Sequence, residues 1–259
     1  MASSNNADRV EQRWFAERYA ENGRFVADLG APLLEMLAPR TGERILDLGC
    51  GDGALTEKLA ETGARVVGVD ASANQIAACR ERGLDAHVVD GHALGFEAEF
   101  DAILTNAALH WMTRPDEVIA GMHRALVPGG RVVGEMGGQG NVEIITGELI
   151  GAMARLGIDG EAAFPWYFPD PDEYAGRLET AGFDVESIEL IKRPTPLPGD
   201  ISGWLATFGE AFILSVPEPM RAEFLDEVRE ALRPRLVDEA GVWVADYVRL
   251  RFLAVKPAR

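Results

Sequence analysis

Residues 45–57 read ILDLGCGDGALTE, an apolar run that meets three glycines at alternate positions and then passes into a helical pattern. Gly49, Gly51 and Gly53 permit a tight turn and let a ligand approach the backbone closely. The N-terminus of the following helix offers unsatisfied N–H groups to an anion, a carboxylate as readily as a phosphate. Asp47 stands two residues before the first glycine. Two more carboxylates, Asp70 and Asp90, close the runs ARVVGVD and LDAHVVD, and Asn106 closes FDAILTN. Ligands of open α/β sheets bind outside the carboxyl ends of the strands, so these four side chains are expected around one crevice.

Two ligand classes compete for such a loop. Gly49, Gly51 and Ala54 satisfy the G-x-G-x-x-A pattern of dinucleotide enzymes, with Asp70 about twenty residues on, where it could accept from ribose hydroxyls. Asp47 separates the two. A carboxylate at that position is unhelpful beside a pyrophosphate but useful beside an ammonium and a sulfonium. One acidic strand end is commonly a helix cap. Several around a glycine loop favour a ligand with a cationic amine, a ribose and an adenine, which describes S-adenosylmethionine. The alternatives are an NAD-dependent oxidoreductase and a non-catalytic S-adenosylmethionine-binding protein.

The elements that must position these residues alternate. ERILDLG, ARVVGVD, LDAHVVD, FDAILTN and RVVGEM read as strands. Helices lie between them, one closed by Gly63 and one opened around Thr113, Pro115 and Asp116. Ser72, with Gln75 three residues later, has the pattern of a capping box. Strand–helix alternation argues for a parallel sheet covered on both faces. After Gly137 the pattern changes. GGQGN reads as a joint, residues 142 to 157 as a helix and FPWYFPDP as an aromatic loop. Asp170, Pro171 and Glu173 open a further helix, and FDVESIELIK and WVADYVRLRFLAV read as strands six and seven. Residues 199 to 240, between those strands, are expected to hold two helices.

The expected architecture is therefore an α/β, Rossmann-like, seven-stranded and mostly parallel sheet. Helices cover both faces, and a helical cap is inserted before the last strand. Its parts are an N-terminal helical segment (1–42), a cofactor-binding core (43–137), a mobile cap segment (138–170), and the remainder of the sheet (171–259) carrying the insertion 199–240.

Composition narrows the function. The 259 residues carry 25 Lys and Arg against 42 Asp and Glu, a formal charge of -17. Phosphate backbones are bound by releasing counterions with cations, so nucleic acid is not an expected partner. No stretch approaches the ~18 apolar residues of a membrane span, so no membrane partner is expected. MASSNNADRVEQRW has no apolar core, so no secretory leader is expected. Cys50 and Cys79 have neither disulfide-framework nor zinc-site spacing, and no metal is expected. A cytoplasmic location is the expectation.

ILDLGCGDG, VVGVDAS, VVDGHAL, FDAILTNAALHW and LVPGGR together resemble the class I S-adenosylmethionine-dependent methyltransferases. Within that superfamily, NAALHW and the insertion before the last strand resemble the trans-aconitate methyltransferases and their relatives. The malonyl-carrier-protein methyltransferases look similar over the same region. The resemblance implies roles for individual residues. Gly49, Cys50 and Gly51 would meet the methionine part through their backbone, with Asp47 near the ammonium. Asp70 would accept from both ribose hydroxyls, and Ala71 would lie against the adenine. Asp90 would accept from the adenine amino group, with Gly91 and His92 beside it. Asn106 would hold the methionine end through its carbonyl, and Tyr19 would close over the carboxylate. Gln75 departs from the Met or Leu usual at its position. It would pack on the adenine or cap its helix.

Methyl transfer is an in-line displacement with a neutral leaving group, so positioning alone can supply about 7–11 kcal/mol. A general base is needed only where the acceptor must lose a proton. A small-molecule acceptor with an oxygen nucleophile, carboxylate or hydroxyl, is the expectation. His110, just beyond strand four, is the candidate base, against the alternative of a loop histidine bonded to backbone. Glu135 could orient an acceptor or bind a substrate cation, against the alternative of a solvated strand end. Arg193 and Arg251 could pair with an acceptor carboxylate, with surface salt bridging the readier explanation for either alone. The oligomeric state is not legible in the sequence.

Overall fold

Parallel strands covered on both faces must be apolar on both faces, and the central strands here are. Ile45, Leu46, Ile103, Leu104, Val132 and Val133 are all fully buried. The computed structural model describes residues 30–258. The strands are β1 (Arg44–Leu48), β2 (Arg65–Asp70), β3 (Ala86–Val88), β4 (Phe100–Asn106), β5 (Leu126–Gly137), β6 (Asp184–Pro196) and β7 (Val244–Val255). They form one sheet in the order β3-β2-β1-β4-β5-β7-β6. The pairs β1–β2, β1–β4, β2–β3 and β4–β5 are parallel, and β5–β7 is antiparallel. All seven expected strands are present. The chain reverses its direction of travel across the sheet between β1 and β4, the switch point at which such sheets open a crevice.

Side chains alternate across the sheet, and the two faces have separate cores. On one, Ile45, Ala102, Leu104 and Val133 pack with Leu33 and Leu37 of α1 (Ala31–Leu37) and with Leu55 and Leu59 of α2 (Ala54–Ala60). On the other, Leu46, Ile103, Val132 and Met136 pack with Val118, Ile119 and Met122 of α4 (Pro115–Ala125) and with Tyr174 and Leu178 of α6 (Pro171–Thr180). Between α2 and α4 in sequence lies α3 (Ala73–Glu81). Asp170 caps α6 by accepting from the Glu173 N–H at 2.9 Å, and Pro171 fills the first position, where no donor is needed.

The chain packs as two compact units. The sheet unit comprises the described residues up to Asn141, Trp166–Arg193 and the chain from Tyr247 onward. The second unit comprises Val142–Pro165 and Pro194–Asp246. It holds α5 (Glu143–Arg155), α7 (Ile201–Phe208), α8 (Glu210–Ser215) and α9 (Arg221–Leu236). The insertion thus has three α-helices where two were expected, because Gly209 breaks the first stretch between Phe208 and Glu210. Within this unit Arg155 of α5 pairs with Glu227 of α9 at 2.8 Å, and the Asp246 carboxylate accepts from the Ile144 N–H at 2.7 Å, closing the start of α5.

Ile103 sits at the centre of the sheet and is fully buried. Ile103→Ala should lower unfolding stability by about 2–5 kcal/mol, read as a reduced urea midpoint.

Candidate functional site

The run from β1 into α2 explains the glycines. Gly49, Gly51 and Gly53 all take positive φ, at 78°, 55° and 85°. A Cβ on Gly49 would lie 2.2 Å from the Ala108 Cβ, and one on Gly53 would lie 2.7 Å from the Cys79 sulfur. The β1 and β4 loops can meet only because Gly49 has no side chain. The backbone donors of this loop are used within the protein. Gly49 and Cys50 N–H both donate to the Val69 carbonyl, at 2.7 and 3.0 Å. Gly51 N–H donates to Asp70 Oδ2 at 3.1 Å. A pyrophosphate would need those three donors, so the geometry argues against the dinucleotide alternative. The loop instead presents carbonyl oxygens and bare Cα surface, which suit a cationic amine.

Asp47, next to last in β1, has 2% of its surface exposed. Its Oδ2 accepts from the Thr56 hydroxyl at 2.6 Å. Burial pushes its pKa up to about 6, against the Thr56 bond, and the nearby Asp70 charge adds to the rise. Thr56 was not singled out in the sequence. The signal was its place in the first turn of α2, on the face that folds back over β1.

Asp70, at the end of β2, bridges two segments. One oxygen accepts from Gly51 and the other from the Ser72 N–H at 2.8 Å. Burial raises its pKa, and these two bonds oppose the rise. Ser72 caps α3 by accepting from the Gln75 N–H at 3.4 Å. The capping box is therefore half made. The Ser72 donor goes to a carboxylate, a stronger acceptor than an amide. Gln75 is buried and its Oε1 has no partner among the described residues, so its side chain does not complete the box. Ala71 is exposed beside it.

Asp90 caps a short turn, Gly91–Ala93. Its Oδ1 accepts from the His92 N–H at 2.9 Å and pairs with His92 Nδ1 at 2.7 Å. Partial burial works against the Asp90 charge, but the His92 backbone and ring outweigh it and hold the pKa below the usual value. His92 Nε2 accepts from Arg114 N–H at 3.4 Å, so the ring, and not only the backbone, belongs to this corner. No described group donates to Asp90 Oδ2. Gly91 is buried, and a Cβ there would lie 2.6 Å from the Met112 sulfur, a neighbour the sequence reading missed.

Asn106 ends β4 opposite Glu135 of β5. Ala107 follows at φ 55°, left-handed without being glycine, and its N–H donates to the Glu135 carbonyl at 2.7 Å. Such strain persists where surrounding bonds over-determine it. Glu135 is buried and shared by two guanidiniums. Arg193 Nη2 and Arg251 Nε both reach its Oε2, each at 2.9 Å. His110 lies in the turn Leu109–Trp111. The ring is 7% exposed, and Nδ1 accepts from the Gly137 N–H at 3.2 Å. Tyr19 lies outside the described residues. Among those described, no cluster of metal-binding side chains occurs, and no helix is long and apolar enough to cross a membrane.

At the switch point of this α/β sheet the glycine loop thus lies beside a buried carboxylate, Asp47. Residues 46–134 match the methyltransferase domain family. A methyltransferase of Schizosaccharomyces pombe, itself uncharacterized, is 38% identical over 95% of this chain and 99% of its own length. The trans-aconitate 2-methyltransferase of Rhodococcus jostii is 31% identical over 83% of this chain and 87% of its own. A solved phosphoethanolamine N-methyltransferase 2 of Haemonchus contortus, with S-adenosylhomocysteine bound, shares the fold at TM-score 0.56. It has 21% identity over 89% of this chain and 53% of that one. The chain belongs to the class I S-adenosylmethionine-dependent methyltransferases, and S-adenosylmethionine is its cofactor.

Asp47 supplies a linkage test. Its folded pKa of about 6 lies above the ordinary aspartate value of 3.8. Ionising it therefore costs stability, progressively as pH rises from about 4 through 6 and fully above, by at most about 3 kcal/mol. Asp47→Asn should raise the melting temperature of the cofactor-free protein at pH 7 and weaken S-adenosylhomocysteine, whose ammonium would lose its counter-charge. Wild-type affinity should fall as pH drops below about 6. Calorimetric titration across that range checks both.

Proposed function

We propose that the protein transfers the methyl group of S-adenosylmethionine to an oxygen of a small organic acid, forming a methyl ester. The cofactor would lie with its ammonium towards Asp47 and the carbonyls of Gly49 and Asn106. Asp70, whose oxygens each keep a lone pair beyond their backbone bonds, would accept from the ribose hydroxyls. Asp90 Oδ2 would accept from the adenine amino group, with Ala71, Gly91 and His92 around the ring and Cys50 and Gly51 beneath the methionine chain. When bound, the cofactor supplies an electrophilic methyl on a sulfonium.

The observation that carries the acceptor class is the Arg193–Glu135–Arg251 cluster. In a chain of net charge -17, two guanidiniums meet one carboxylate on the strand row that also holds Asn106. A third, Arg249, follows two residues from Arg251 and so lies on the same face of β7. Glu135 engages both guanidiniums but neutralises only one charge, and the positive charge left over would attract an acceptor carboxylate. The Rhodococcus jostii relative, named for an acid substrate, supports the same reading, as does the poor match of an acidic chain to nucleic acid. A carboxylate nucleophile already carries its charge, so the residues need only hold it in line.

The test is a panel of di- and tricarboxylic acids, phenols and amines incubated with isotope-labelled S-adenosylmethionine and read by mass spectrometry. Label should appear in base-labile esters of the acids. Label found only in amines, or in no member of the panel, would overturn the proposal. Arg251→Lys keeps the charge but loses the fork, and should raise KM for the acid about tenfold with S-adenosylhomocysteine affinity unchanged.

A further inference from the structure

Resting on that reading, the bonds around His110 specify which of its two ring nitrogens can act, and how. The Gly137 backbone N–H donates to His110 Nδ1 at 3.2 Å in a buried position. A backbone N–H can only donate, so Nδ1 must keep its lone pair there and carry no proton. A neutral imidazole has one N–H, which places the hydrogen on Nε2. Ring and backbone are both fixed. The Tyr167 N–H donates to the His110 carbonyl at 2.9 Å, and the rings of Trp111 and Phe168 stand 5.6 and 5.8 Å from the imidazole. Burial holds the imidazolium form far down, and the Arg249 charge adds to this. The ring is therefore neutral at pH 7. Nε2 lies on the edge opposite the Gly137 bond, and no described residue accepts from it, although the side chain is more than nine-tenths buried.

We propose that His110 is a fixed hydrogen-bond donor, its Nε2–H addressed to an oxygen of the acceptor, and not a proton-abstracting base. A base would need its lone pair on Nε2, and that nitrogen holds the proton. A donor is what a carboxylate acceptor can use. One oxygen attacks the methyl carbon with its own electron pair, the carbon–sulfur bond breaks onto sulfur, and no proton moves. The second oxygen stays free to accept from Nε2–H, which fixes the rotation of the carboxylate about its C–C bond. Loss of the donor would free that rotation, and a misplacement of the attacking oxygen by about 1 Å can cost about 10²-fold in turnover.

The tautomer is read without any acceptor. Histidine-ring proton–nitrogen correlation spectra of the wild-type protein with S-adenosylhomocysteine should show His110 protonated at Nε2 and bare at Nδ1. Protonation at Nδ1, or at both nitrogens, would overturn the inference while leaving methyl transfer untouched. If the tautomer is as stated but no acid is methylated, the proposed function falls instead. Variants separate the roles with trans-aconitate as probe. His110→Gln reaches the Nε2 position with an N–H and should keep turnover within about tenfold. His110→Ala and His110→Asn should lose about a hundredfold through misplacement of the acceptor, with S-adenosylhomocysteine affinity preserved. Glutamine as poor as alanine would restore the base, and asparagine as good as wild type would reduce the ring to a partner for Gly137.

Discussion

The site depends on a carboxylate taken out of water. Asp47 stands among the apolar, buried Ile45, Leu46 and Leu48 of β1, and among the described residues one hydroxyl is its hydrogen-bond partner. A buried charge with so little support is costly, and the raised pKa expresses that cost. A cation bound beside it removes the penalty. The protein is thus less stable empty than it could be, and under the proposed placement of the cofactor's ammonium that deficit would become selectivity for a positively charged ligand. A neutral residue there would improve the fold and weaken the reason for the crevice.

Asp70 works in the opposite way. Its two oxygens hold the glycine loop and the start of α3 in register, so the end of β2 is set before any ligand arrives. The loop consumes its own donors to achieve this, with Gly49 and Cys50 on Val69 and Gly51 on Asp70. That is why a sequence matching a dinucleotide fingerprint does not make a diphosphate cradle. Gly49 adds the second constraint, since only a residue without Cβ lets the β1 loop lie against Ala108.

What was legible in the sequence follows from range. Strands, caps and the glycine turn are local, and all seven strands, the Asp170 cap and the positive-φ glycines stand where composition and spacing place them. The strand-end acids were legible because a switch-point crevice collects whatever ends β1, β2, β3 and β4. The split of the insertion into three helices turned on one residue, Gly209. Contacts between elements distant in sequence were not legible. Gly137 reaching His110, Met112 under Gly91 and the two arginines on Glu135 each require the strand register. Thr56 and the His92 ring lie near their partners in sequence, and their roles turned on side-chain direction.

The charges across the sheet edge fit one reaction type. On the proposed reading Asp47 on β1 would meet the cation, and the positive charge that Arg193 and Arg251 on β6 and β7 keep beyond Glu135 would meet the anion, with β4 and β5 between them. On the proposed reaction a carboxylate and a sulfonium become a neutral ester and a neutral thioether, so charge disperses towards the transition state. Water would stabilise the separated ions and oppose that change. A site in which fixed groups hold each ion at its own end replaces water with oriented partners. A neutral histidine completes it better than a charged one, because an imidazolium would stabilise the carboxylate most strongly before attack, when its charge is greatest. Interactions that are stronger in the ground state than in the transition state slow a reaction. The Gly137 bond, the burial of the ring and the charge of Arg249 all keep His110 in the form that avoids this.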